Sequence, residues 1–228
     1  MLIALALAAA APPVDLTGTW AATMEVVTSA KIPVLGKTDV HTYQWMVATI
    51  TPKGEGFRVH HDACAFRAES KPSLASTSFP KAFVDSIPDR DYDVSYVTGD
   101  PGVVARMHVG FVAVGWDPAR GAFPETLDAP SVIDWDRDGT PAATVQLKIP
   151  IFGRVDVYQA QAQDLWFDLS KVTADVIEGT VRIEGMRQRT LGASNRLFIQ
   201  NPALKQDPAR SKVRFTRAAA GAGCAVAP

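Results

Sequence analysis

The chain has little charge imbalance, few cysteines and no long apolar run beyond its first residues, and each shortage excludes something. Lys and Arg total 23 against 24 Asp and Glu, a net charge of -1. That balance argues against nucleic acid, which needs a basic face. Beyond residue 11 no apolar run reaches the roughly 18 residues that a membrane-spanning helix requires. Two cysteines among 228 residues, with no Cys-x-x-Cys, exclude a thioredoxin-like redox pair. No Pro-, Gly- or Ser-rich linker divides the chain, and no 20–50-residue repeat of the solenoid or propeller kind is evident. Catalytic templates are missing too. There is no Gly-x-Ser-x-Gly elbow, no His-Glu-x-x-His, no phosphate-cradling Gly loop and no dinucleotide fingerprint.

What is present starts at the front. Met1 to Ala11 is Leu, Ile and Ala without a charged side chain, and Ala8-Ala9-Ala10-Ala11 offers small residues of the type a signal peptidase cuts. Residues 1–11 are therefore expected to be a signal peptide, although the usual basic n-region is missing. The product would be secreted or periplasmic, with residues 12–228 as a single domain and no transmembrane span after cleavage. Cys64 and Cys224 fit an oxidising compartment, where an even count favours one bridge. That bridge would pin the Gly/Ala-rich tail, 218–223, to the body.

Period-two patterns dominate the rest. Val145, Leu147, Ile149 and Ile151 alternate with Thr144, Gln146 and Lys148; Ile177, Val181 and Ile183 alternate with polar residues up to Arg187. Similar runs cover 20–27, 40–51, 56–61, 91–97, 103–109, 158–163, 165–169 and 212–217. This is the pattern of half-buried antiparallel strands. Pro52-Lys53-Gly54, Gly99-Asp100-Pro101-Gly102 and Asp138-Gly139 mark turns. Short helical turns are expected only at 79–85 and 169–176. The fold expected is all-β: one antiparallel up-and-down barrel of about 8–10 strands, which removes exposed edges, with a β-sandwich as the alternative.

Three constellations carry possible chemistry. Asp134-Trp135-Asp136-Arg137-Asp138-Gly139-Thr140 has alternate carboxylates, a glycine for a sharp turn and a carbonyl at Thr140, the front half of a Ca2+ loop. The twelfth position is Val145, so it is no EF-hand. A shortened structural calcium site is expected, completed by water or by Asp117, Asp128 or Asp156. The competing reading is a solvated hairpin with Asp138-Gly139 at its turn. His60, Asp62 and Cys64 share one face of a strand and could ligate zinc, but not with Cys64 in a disulfide. Finally, Tyr43, Trp45, Met107, Phe111 and Tyr158 are large residues in or near strands. They are candidates to line a pocket if the barrel is hollow, or to fill it if it is narrow.

Gly18-Thr19-Trp20, at the start of the first strand, resembles the first-strand signature of lipocalins and their calycin relatives. The resemblance implies that Trp20 closes one barrel end against an arginine of the last strand, here Arg214 or Arg217. It also implies binding of a small apolar molecule inside the barrel. Two other functions remain open. One is an envelope or surface protein with a filled core, acting through its exterior. The other is a hydrolase or isomerase on a barrel scaffold, for which no nucleophile–base pair is readable.

Overall fold

The computed structural model describes residues 14–32, 36–72, 76–150 and 152–226; the expected signal peptide, 1–11, lies outside them. Long strands open the chain: β1 (Gly18–Ile32), β2 (Gly36–Lys53) and β3 (Gly56–Lys71). Then come β4 (Ser76–Ser78), helix α1 (Lys81–Asp85), β5 (Arg90–Tyr96), β6 (Ala105–Val114) and β7 (Ala143–Ile149). β8 (Gly153–Val172), β9 (Val176–Ala193), β10 (Lys205–Gln206) and β11 (Lys212–Arg217) complete the order. All pairings between these strands are antiparallel, and β11 returns to β1 with Arg217 opposite Trp20, so the sheet closes in a ring. No helix among the described residues is long and apolar enough to cross a membrane.

Three staves of this barrel are interrupted. β4 and β5 pair in succession with one edge of β3, at Arg67–Glu69 and Phe57–His61. β6 and β7 likewise share one edge of β8, and β10 and β11 one edge of β1. The eleven strands therefore make an eight-stave, up-and-down barrel. Between the β4/β5 stave and the β6/β7 stave, direct pairing is confined to two short ladders, Val94–Tyr96 with Ala105–Met107 and Ser76–Ser78 with Gln146–Lys148. α1 plugs the gap from one side. Its Phe83 is buried against Phe79, Phe66 and Trp135, at ring distances of 5.0, 6.4 and 5.1 Å. Pro80 precedes the helix and Pro88 follows it, so it cannot lengthen.

The inward face alternates as the sequence pattern requires. Trp20, Met24, Ile50, Val59, Met107, Phe167, Ile177 and Phe215 all belong to one buried apolar cluster that fills the half of the barrel nearest Trp20. The Trp20 indole N–H donates to the Leu16 carbonyl at 2.9 Å, so the buried ring leaves no unpaired polar atom. In the other half, inward-facing Thr42, Phe66, Gln161 and Gln163 remain half-buried.

Two expectations about local structure meet different outcomes. The short helix near 79–85 is present as α1. The second, at 169–176, is not: β8 runs through Val172 and turns at once into β9. Thr173 closes that turn, accepting from Val176 N at 3.0 Å through its hydroxyl. The β-branched run Val172, Thr173, Val176, Ile177 favours strand over helix. Gly179 then lets β9 approach β8 closely, since a Cβ there would lie 2.3 Å from the Asp168 carbonyl oxygen.

Cys64 and Cys224 form the disulfide, across a sequence separation of 160. Cys64 occupies the bulge where β2–β3 register shifts between Trp45 and Met46. The short turn Cys224–Val226 lies against β2, so the tail is held to the barrel wall. Closing so long a loop restricts the unfolded chain by at most about 5 kcal/mol.

Candidate functional site

The segment 115–142, which interrupts the β6/β7 stave, folds over the outside of the barrel. Its underside is apolar: Trp116, Phe123, Leu127 and Val132 pack on Ala160, Ala162 and Leu191 of β8 and β9. The Trp116 indole donates to the Gln161 carbonyl at 3.0 Å. Asp117 N donates to the Ser131 carbonyl at 2.9 Å, and Ser131 Oγ to the Ala122 carbonyl at 2.7 Å. The acidic loop therefore stands on a fixed base.

The loop 134–140 brings its carboxylates together. One oxygen from each of Asp134, Asp136 and Asp138 lies within 4.8 Å of the others. Asp134 accepts from the backbone N–H groups of Asp138 and Gly139 at 3.1 and 3.0 Å, and Asp138 accepts from Thr140 N at 2.8 Å. Gly139 takes φ +87°, the left-handed conformation glycine tolerates, and Arg137 takes φ +56°. Asp136 differs from its neighbours. It is only 2 % exposed, its Oδ2 accepts from Thr144 N of β7 at 2.9 Å, and its Oδ1 is buried with no hydrogen-bond partner. Burial raises its pKa above the ordinary carboxylate value, and the charges of Asp138 and Asp134 push the same way. An unpaired buried carboxylate oxygen costs about 1–3 kcal/mol or more. A hard divalent cation fits this donor set: it would satisfy Asp136 Oδ1 and neutralise three converging carboxylates. Asp117, Asp128 and Asp156 do not join the group. Asp117 accepts from Ala119 N and faces Arg120, Asp128 is hydrogen-bonded near Thr126, and Asp156 faces Arg154.

The aromatic pocket candidates are scattered. Met107 lies in the filled core. Tyr43 and Trp45 alternate with core Met46 and face outward, under the Arg67 guanidinium at 5.3 and 5.8 Å. Phe111 is 49 % exposed, and Tyr158 packs under the 115–142 segment. At the barrel end, Arg217 is the arginine over Trp20, 4.5 Å from its ring, while Arg214 pairs with Glu178. Cys64 is engaged in its disulfide. His60 instead groups with Asp62 and Asp89, all solvent-facing, and its Nδ1 is 3.2 Å from Asp91.

Sequence reasoning missed a polar network on the outer face of β6, β8 and β9. His108 stacks on Trp166 at 3.8 Å while Arg182 covers the ring at 4.9 Å. Asp164 accepts from both His108 Nε2 and Trp166 Nε1, and Asp168 takes both Arg106 and Arg182 at 2.8 Å. Burial opposes the Asp168 charge, but the two arginines hold its carboxyl below the ordinary range. A groove of about 420 Å3 adjoins this network, bordered by Arg58, Asp91, Ser95, Arg106, His108 and Trp166. The signal was available, since these residues occupy the polar phase of alternating strands. Their charges are satisfied among themselves, and Trp166 is covered on both faces, so the network reads as a rigid wall. No protein-family model, curated protein or solved structure matches this chain, so its function has to be read from its own residues.

Proposed function

We propose that this chain is an exported β-barrel protein that binds a structural calcium ion and acts through its exterior. The observation that carries the calcium reading is Asp136 Oδ1, buried and unpartnered beside Asp134 and Asp138. A cation there would join the 115–142 segment to the first residues of β7 through Asp136 and Thr144. The filled half of the barrel, from Trp20 to Phe167 and Phe215, supports the exterior reading, because it leaves that half no room for a ligand.

The test is calorimetric titration and thermal melting with calcium and with a chelator. Calcium at about ten times its Kd adds about 1.4 kcal/mol, worth roughly 3–6 °C in a domain of this size. Asp136→Asn should abolish both heat and shift. No heat of binding, or an equal shift in the variant, would remove the ion from this loop.

A second reading is favoured by one observation. Inward-facing Thr42, Gln161 and Gln163 stay half-buried, so a small, partly apolar molecule entering the half of the barrel away from Trp20 would meet polar side chains there. Native mass spectrometry of the exported protein separates the two: a co-purified molecule of defined mass supports the second, an empty barrel the first.

A further inference from the structure

The rim of the barrel opposite Trp20 carries the last residues of β1, β3 and β7, the first residues of β2, β4 and β8, and the segment after β9. Two features there work against stability in water. The first is exposed apolar bulk. Phe152, beside the β7–β8 turn, is 50 % exposed, and Leu197 and Ile199, after β9, are 66 % and 39 % exposed. Phe152 and Phe198 meet edge to face at 5.3 Å, so the two loops present one apolar knob.

The second feature is unpaired positive charge along the same rim. Lys31 stands directly across from Lys37, and Lys148 stands across from Arg154, whose charge Asp156 meets. Like charges facing each other across an antiparallel pair are destabilising. Among the described residues no ion pair reaches Lys31, Lys37, Lys148, Arg196 or Lys205. Of the acids nearby, Asp39 and Asp207 share Arg210, Asp156 is engaged by Arg154 and Glu69 by Arg67. The overall charge of -1 conceals this asymmetry.

We infer that this rim docks peripherally on an anionic lipid bilayer. The cations meet headgroup phosphates, and Phe152, Leu197 and Ile199 enter the boundary between headgroups and acyl chains. Nucleic acid would use the same cations but would leave the apolar knob in water. The inference rests on the reading that the chain acts through its exterior, and it names the partner for that reading. It does not involve the cation loop.

The experiment is co-sedimentation of the full exported chain with vesicles of phosphatidylcholine alone, or with about 30 % phosphatidylglycerol, in calcium and in chelator. Pelleting is expected with the anionic vesicles, decreasing with salt. Each cation removed should weaken partitioning about fivefold, so Lys148→Gln combined with Lys205→Gln loses about twenty-fivefold. Phe152→Ser with Leu197→Ser should abolish pelleting. Lys53→Gln, at the opposite rim, should change nothing. Lys31→Gln with Lys37→Gln relieves a like-charge contact, so its loss of binding cannot be ascribed to misfolding. Equal pelleting with both vesicle types, equal loss in Lys53→Gln, or no pelleting at all would overturn the inference. A ligand found inside the barrel by native mass spectrometry would instead overturn the exterior reading. An empty barrel without vesicle binding removes only the docking.

Discussion

His61 sets a pH limit on this fold. It follows Val59 on the inward face of β3, is 3 % exposed, and its Nδ1 lies 2.9 Å from Tyr92 Oη on β5. Its pKa is lowered from 6.5 to about 4, chiefly by burial and in part by the charges of Arg90 and His60, with Asp89 opposing them. Tyr92 is held neutral by its own burial, so it brings no charge to the pair. The folded state therefore binds this proton less readily than the unfolded state does. Stability from neutral His61 is fully present above pH 6.5 and is lost as pH falls from there toward about 4. At about 1.4 kcal/mol per pH unit the loss across that window is about 3 kcal/mol. Urea unfolding between those limits, for the native chain and for His61→Gln, measures it. The glutamine keeps an amide within reach of Tyr92 but cannot titrate. Carboxylate effects are common to both proteins and cancel in the difference. The native chain should lose about 3 kcal/mol more than the variant on acidification. Parallel curves would refute the assignment of a neutral, buried imidazole.

Two further pairs of substitutions test the barrel itself. At Gly115, where β6 leaves the wall with φ +76°, a Cβ would lie 2.1 Å from the Gln159 carbonyl oxygen, so Gly115→Ala should cost more than about 3 kcal/mol in thermal melts. Gly54→Ala, at φ +56° in open space, should cost only about 1 kcal/mol. Arg217 covers Trp20 and donates to the carbonyls of Ala174, Thr17 and Asp15, so Arg217→Ala should lose about 2–3 kcal/mol. Arg214→Ala, which breaks an exposed pair with Glu178, should lose under about 1 kcal/mol; equal losses would mean that Arg217 does not close the barrel end.

Alternation made the all-β class legible, because a half-buried strand writes its two faces into the sequence. It did not say which face is inside once both carry bulk. Tyr43 and Trp45 alternate with Gln44 and Met46, and only the closed ring shows the second pair to be inward. Bulges hide the phase as well. Strict alternation places Phe111 on the face of Met107, but the register shift between His108 and Gly110 turns Phe111 outward. The short strand β4, Ser-Thr-Ser, has no apolar pattern at all; its pairing with β7 depends on contacts far away in sequence. The rim cations were equally invisible to a charge count, since a sum over the chain carries no position.

The acidic loop marks the same boundary between what residues state and what packing adds. Three alternate aspartates followed by glycine announce a cation loop or a solvated turn, and spacing cannot choose between them. Packing separates their environments. Trp135 is drawn toward Phe83, 5.1 Å away, where the segment 115–142 meets α1 over the gap in the barrel wall. Asp136, next along the chain, is then carried out of water, and the start of β7 supplies a partner for just one of its oxygens. A solvated turn has no reason to bury that carboxylate, whereas a cation loop would use it as its innermost ligand. The same apolar contact that plugs the wall thus sets the cost that a bound cation would offset. Phe83→Ala should accordingly weaken calcium binding, measured by titration calorimetry, although Phe83 offers the ion no ligand atom; unchanged affinity would show that the loop holds its shape without the plug.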